Sequence, residues 1–325
     1  MSDASDSRSY SGRARELPFS IVFNATSGSG DVAQRHQAIG DVLRAAGRKH
    51  TFFPVRHARQ LQAVARRAVD WALRESGAVV VAGGDGTINT VVQLVLGTGL
   101  PFGIIPQGTF NYSGRAHYLP LDGAEATRVL LRGHCEPLQV GLVNGRAFLV
   151  NASLGLYPRL LQEREAYKRQ LGRYRAVAWL SAFSTVLRNN GRLTLELEHG
   201  GRTERVRTPS LFVGNNALQL KQAGLPEAQA IGAQRLVGVV VQTSGVWGLV
   251  SLMVRGAMSG LGAGDEVRSF DFERLTVRPA IRGVLRLKVA LDGEMFWMRP
   301  PVVFTVAPEP LQLLSAGGAP VVLQG

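Results

Sequence analysis

The run Val79-Val80-Val81-Ala82 passes without a break into Gly83-Gly84-Asp85-Gly86-Thr87-Ile88-Asn89, and no other stretch restricts the fold as tightly. Unbroken apolar character marks a strand buried on both faces, the condition of a parallel sheet covered by helices on each side. Glycines at its end let the backbone turn directly into a helix beginning near Thr87. Open α/β sheets bind their ligands at this kind of position, the carboxyl end of a strand. The flanking sequence agrees. Strands are predicted at Phe19–Phe23, His50–Val55 and Ala78–Ala82, alternating with helices near Asp31–Ala46, stopped by Gly47, and Ala58–Glu75.

After residue 140 the texture changes to mainly antiparallel strands: Arg192–His199, Thr203–Thr208, Leu236–Gln242, Phe270–Val277 and Val284–Leu291. Two helices, about Leu160–Leu187 and Val246–Ser259, interrupt them. With 325 residues the chain is long enough for two domains, and ligands commonly sit where two domains meet. The expected division is a tail over 1–17, an α/β domain over 18–138 to which 308–325 return, and a β-rich domain over 139–307. The Ser-, Asp- and Arg-rich tail lacks the apolar core of a signal peptide. No stretch approaches about 18 uninterrupted apolar residues, so any membrane contact is expected to be peripheral. A single cysteine, Cys135, excludes an internal disulfide framework, fits a cytoplasmic setting and reads as a small buried hydrophobe.

A net charge of +13 points to an anionic partner, although arginine-rich coding bias would give the same figure, since lysine occurs only at 49, 168, 221 and 288. The basic residues are scattered and no reader motif interleaves them with stacking aromatics, which argues against nucleic acid. Within the glycine loop, an anion can approach the main chain closely, and the helix start adds amide donors and the positive end of its dipole. Asp85 is unfavourable beside a phosphate unless a magnesium ion bridges them or the carboxylate meets a reacting hydroxyl. The same residues also suit a plain strand-to-helix turn, and taken alone they leave both readings open.

Competing motifs are easier to reject. No lysine is followed by Ser or Thr, which removes a Walker A loop. Gly28-Ser29-Gly30-Asp31-Val32-Ala33 matches a dinucleotide fingerprint formally. It lies too far past its strand, and the second strand ends in Arg56 and His57 rather than an acid. The histidines and the cysteine show neither zinc-ligand spacing nor a nucleophile-and-base set.

Five segments in order, Asn24-Ala25-Thr26-Ser27-Gly28, Gly83 to Asn89, Gly103 to Asn111, Asn151 to Gly155 and Leu291-Asp292-Gly293-Glu294, together resemble the diacylglycerol kinase catalytic-domain family. That family includes bacterial soluble lipid kinases and the sphingosine and ceramide kinases. The resemblance implies a three-layer α/β nucleotide-binding domain followed by a β-sandwich. It also implies an ATP and Mg2+ site formed by Asn24, Ala25, Thr26, Ser27 and Gly28, by Gly83, Gly84, Asp85, Gly86, Thr87, Ile88 and Asn89, and by Thr109. The lipid hydroxyl would arrive between the domains, with Asp85 and Glu294 catalytic and Glu294 as proton acceptor. Read without the family, Asp292-Gly293 is a hairpin turn and Glu294 a surface residue.

Three positions depart from the family pattern. Tyr112 follows Asn111 where an Asp is common, Gln139 stands where a second Asp is expected, and Ala233-Gln234 replace an Asp-Gly loop that helps hold a structural magnesium ion. These losses motivate a second reading, a weakened lipid- or nucleotide-binding protein on the same fold, with an NAD kinase third. A lipid kinase must also reach a bilayer surface. Arg164, Lys168, Arg169, Arg173 and Arg175 on the first interrupting helix are the expected docking face, unless they are an ordinary solvated surface.

Overall fold

The computed structural model describes residues 16–27, 31–108, 111–155, 192–242, 267–281 and 283–315. They fall into two compact units, one running to Leu138 and resumed from Glu309, the other covering Gln139–Pro308.

The first unit runs β1 (Phe19–Asn24), α1 (Val32–Ala45), β2 (His50–Val55), α2 (Leu61–Arg74), β3 (Ala78–Gly83), α3 (Asp85–Val95), β4 (Pro101–Pro106), α4 (Tyr112–Ala116), α5 (Gly123–Arg132) and β5 (His134–Leu138). Its sheet has the order β2-β1-β3-β4, then the final strand Leu311–Ser315, then β5. All neighbours are parallel except β5, which runs against the final strand.

Local chemistry accounts for the helices. The Asp31 carboxylate caps α1 by accepting from the amide of Ala33 at 2.8 Å. Gly47 ends the helix region with φ +61°, the left-handed geometry that glycine adopts without a steric penalty. Ile39 and Leu43 of α1 and Ala126 and Leu130 of α5 cover one face of the sheet. Helices α2 and α3 pack together, burying Ala65, Ala68, Ala72, Val91 and Val95. The result is the three-layer arrangement. Leu17, placed with the tail on sequence grounds, is instead buried in this core, and its carbonyl accepts from the Arg48 guanidinium at 2.9 Å.

The second unit contains β6 (Gly141–Val143), β7 (Arg146–Phe148), β8 (Asn151–Gly155), β9 (Leu193–His199), β10 (Arg202–Thr208), β11 (Ser210–Gly214), β12 (Leu236–Val241), β13 (Val267–Phe272), β14 (Arg274–Pro279), β15 (Leu287–Leu291), β16 (Glu294–Met298) and β17 (Val302–Val306). They make two six-stranded sheets, β10-β9-β14-β17-β6-β7 and β13-β12-β11-β8-β15-β16. Leu195, Leu197, Val277 and Phe304 from one sheet and Leu154, Val213, Val240 and Leu291 from the other share a single core. That is a β-sandwich.

Two expected strands differ in the structure. The strand expected at Phe270–Val277 is two strands in different sheets: Phe272 pairs with Leu236 and Arg274 with Thr305. The apolar alternation slips by one residue at Glu273, from Phe270 and Phe272 to Leu275 and Val277. A strand that changes sheets while still feeding one core must show such a slip. The strand expected at Val284–Leu291 begins only at Leu287; Val284, Leu285 and Arg286 are exposed and lie outside the sheet. The interrupting helices, including Arg164 to Arg175, fall outside the described residues.

Candidate active site

The glycine loop closes against two neighbouring segments, and its side chains explain how. Asn24, buried at the end of β1, accepts at Oδ1 from both the amide and the hydroxyl of Thr26, and donates through Nδ2 to the Thr87 hydroxyl at 2.7 Å. One amide side chain thus fastens the first loop to the first turn of α3. The Ser27 carbonyl accepts from Arg35 at 2.6 Å, and the same guanidinium nitrogen reaches Gln107 at 3.1 Å. Gly28 and Thr109, both expected ligand contacts, lie outside the described residues.

Glycine is required at two points by space rather than by turn geometry. A Cβ on Gly83 would come within 2.8 Å of Thr87, and one on Gly108 within 2.7 Å of the Gly84 Cα. The Gly84 and Gly108 backbones therefore pack directly on each other, joined by the bond from the Gln107 amide to the Gly83 carbonyl at 2.9 Å. Asn111, in the left-handed region at φ +51°, closes this second loop by accepting from Gly108 N at 2.6 Å and donating to Gly108 O at 2.9 Å. Asparagine tolerates that backbone because its side chain can bond locally.

Asp85 occupies the first turn of α3, after a Gly84 cap that supplies no side-chain acceptor. One of its carboxylate oxygens accepts from the Ser113 amide at 2.9 Å, which fixes the group while it remains half-buried. Thr87, Ile88 and Asn89 point inward, with Ile88 fully buried, so they hold the loop rather than line a solvent-facing surface. The second loop, through Gln107, Gly108 and Asn111, borders a cavity of about 440 Å³ that Arg35, Arg115 and Asp122 also line, whereas Asp85 and the rest of Gly83–Asn89 do not. Two guanidinium groups on its wall, one with a buried Nε that has no hydrogen-bond partner among the described residues, favour an anionic occupant. Arg35 and Arg115 are not singled out by the sequence, and Gln107 lies in the Gly103–Asn111 segment without being named as a contact. The positions of Arg35 and Arg115 on the cavity wall depend on tertiary packing.

In the second unit Asp292 and Gly293 form the two-residue turn joining β15 to β16, with φ +46° and +89°. Asp292 is buried, and its carboxylate accepts from the amides of Leu149, Val150 and Asn151 at 2.7, 2.8 and 3.1 Å. Three donors converging on one carboxylate give it a structural task. Glu294 begins β16 opposite Leu291 and is exposed.

Gln139 donates through Nε2 to the Asn215 side chain at 2.8 Å and to the Arg235 carbonyl at 3.0 Å. Asn215 donates back to the Gln139 carbonyl at 2.9 Å and to that of Leu149 at 3.0 Å. A donor amide therefore ties down the segment that follows Ala233-Gln234. The Gln139 Oε1 is buried with no hydrogen-bond partner among the described residues, but one amide oxygen without a carboxylate beside it seldom holds a magnesium ion. Among the described residues no group of three His, Cys, Asp or Glu side chains could hold a metal ion. The residues present do not fit a structural magnesium ion.

Residues 18–143 match the family model for the diacylglycerol kinase catalytic domain. A diacylglycerol kinase of Staphylococcus carnosus is 31% identical over 137 residues, covering 42% of this chain and 44% of that protein. One of Bacillus subtilis is 34% identical over 133 residues, covering 40% and 43%. The chain thus matches less than half the length of these curated relatives. A crystal structure of a diacylglycerol kinase from Bacillus anthracis superposes with TM-score 0.68 over 94% of this chain and 98% of that one, at 16% identity, which bears on the fold alone.

Proposed function

We infer that this chain, whose residues 18–143 match the family model for the diacylglycerol kinase catalytic domain, is an ATP-dependent lipid kinase. Its acceptor is a hydroxyl of diacylglycerol or of a sphingoid or ceramide-type lipid. The observation that carries the reading is Asp85, held by the Ser113 amide at the start of α3, on a loop whose Gly84 packs against Gly108, the residue that borders an arginine-lined cavity; at Gly83 and Gly108 a Cβ would clash.

Phosphoryl transfer consists largely of positioning and charge stabilisation, which is what these residues can supply. Arg35, Arg115 and the uncapped amides opening α3 would hold nucleotide phosphates. Asp85 would take the Mg2+ that accompanies them, since this ion usually needs only one or two protein carboxylates when phosphates provide the remaining ligands. The nucleotide supplies the transferable phosphoryl group. The resemblance makes Glu294 the acceptor of the hydroxyl proton, a role that suits an exposed carboxylate at the start of a strand.

A second reading, a binding protein that no longer catalyses transfer, draws support from the Gln139 amide and from Ala233-Gln234 where the family carries carboxylates. The two readings separate in one assay: transfer of labelled phosphate from ATP to diacylglycerol, ceramide, a sphingoid base and NAD. The kinase reading expects a labelled lipid product that falls about 10²- to 10⁴-fold in Glu294→Gln, the range for loss of a general base. ATP binding without any labelled lipid favours the second reading, and labelled NAD would identify a different kinase.

A further inference from the structure

The chain from Arg278 to Lys288 contains basic residues and no acidic one, and it includes the apolar residues Ile281, Val284 and Leu285. These were read as strand residues in part, but the sheet starts only at Leu287. Ile281 is 61% exposed and Leu285 82%, and Trp297, the cross-strand partner of Lys288, is 62% exposed. Among the described residues, eight large hydrophobic side chains are exposed, and these three with Val284 make up four of them within seventeen residues of sequence. The other four belong to the first unit: Val32 on α1, Leu73 on α2, and Tyr118 and Leu121 in the connection from α4 to α5.

The base of this loop is held firmly. The Ala280 amide donates to the Thr194 carbonyl at 2.8 Å, and its carbonyl accepts from Arg205 at 3.1 Å. Glu198, an acid near the base, is engaged with Arg278 at 2.6 Å. Lys288 Nζ lies 4.8 Å from the Trp297 ring centroid, so an ammonium and an indole occupy adjacent strands at the same end of the sheet.

We propose that Ile281, Val284 and Leu285, together with Lys288 and Trp297, form the surface by which this protein docks on an anionic lipid bilayer. Leucine and isoleucine exposed beyond an anchored loop base can enter the acyl boundary. Tryptophan prefers the headgroup level, and the neighbouring Arg286 and Lys288 meet the negative surface. A protein partner fits less well, because the exposed apolar side chains alternate with cations and no acidic residue lies between Arg278 and Lys288. The proposal rests on the lipid-kinase reading for what is delivered there, but not for the docking itself.

Sedimentation with phosphatidylcholine vesicles, with and without phosphatidylglycerol, tests it, comparing the wild type with the double variant Ile281→Glu, Leu285→Glu. The expected result is binding that requires the anionic lipid, weakens with salt and drops about tenfold or more in the variant. The thermal midpoint should not change. Phosphate transfer to a water-soluble short-chain diacylglycerol should persist in the variant while transfer to vesicle-borne lipid falls. If the wild type phosphorylates no lipid and the variant still loses vesicle binding, docking is upheld and the kinase reading fails. Equal partitioning of variant and wild type overturns the proposal, as does loss of self-association in the variant with vesicle binding intact.

Discussion

Asp85-Gly86 and Asp292-Gly293 are the same dipeptide in the two units, and their surroundings differ in kind. Asp85 opens a helix at the carboxyl end of a parallel sheet, half-buried, with one oxygen accepting from the Ser113 amide. Asp292 sits in a left-handed hairpin turn, buried, with three backbone amides donating to it. The first carboxylate is placed where it can meet a ligand; the second holds the chain together. Residue type and its glycine neighbour are therefore insufficient to assign a role. What decides it is how many backbone amides converge on the carboxylate and whether solvent can reach it.

The glycines sharpen this contrast with the largest expected effect. Gly108→Ala should cost about 3 kcal/mol, the upper end for overpacking, because its Cβ meets the Gly84 backbone, which has no side chain to move aside. Gly293→Ala has open space around it and should cost only about 1 kcal/mol, through its positive φ. Denaturant unfolding of both variants checks the order, and nucleotide affinity should drop only in the first.

A titration bears on the first unit alone. Burial lowers the His117 pKa to about 4, against an opposing pull from Glu136. The unfolded chain therefore takes up the proton first as pH falls. Stability from this group is complete above pH 6.5 and declines between 6.5 and about 4, by about 3 kcal/mol at most. Unfolding free energies measured across that window should flatten in His117→Phe.

Thr87→Val, which removes the acceptor for Asn24 Nδ2, should cost about 1 to 2 kcal/mol and loosen the first loop, measured as a rise in nucleotide dissociation constant. The smallest effect concerns the second unit. Chelation should leave its thermal midpoint unchanged, because the Gln139 amide bonds Asn215 and the Arg235 carbonyl directly. A midpoint that falls with chelator and recovers with Mg2+ would show that an ion is held there.

The first unit was largely legible because its signals are local: an unbroken apolar strand, a glycine loop and the Gly47 stop each act within a few residues. The second unit was less so. Its pairings join distant segments, and the break at Glu273 shows only as a one-residue slip in alternation. Leu285 follows the strand pattern in composition yet lies beyond the sheet. Within the site, Asp85 was found from its motif. Arg35 and Arg115 reach the cavity only through folding, and no short-range spacing announces them, whereas Gln107 stands within the Gly103–Asn111 segment. The task of Asp292 was hidden as well, since its three donors come from residues 149–151.

The most direct test measures transfer rate and thermal midpoint together for Asp85→Asn and Asp292→Asn. In Asp85→Asn the side-chain amide oxygen could still accept from Ser113, so that variant should keep its midpoint within about 2 °C and lose about 10²- to 10⁴-fold in phosphate transfer. Asp292→Asn should lower the midpoint by about 10 °C, from roughly 3 kcal/mol of lost amide bonding, while folded molecules retain transfer within about tenfold. The opposite pattern, with Asp85→Asn unfolding early or transferring phosphate normally and Asp292→Asn inactive at an unchanged midpoint, would contradict the division of roles.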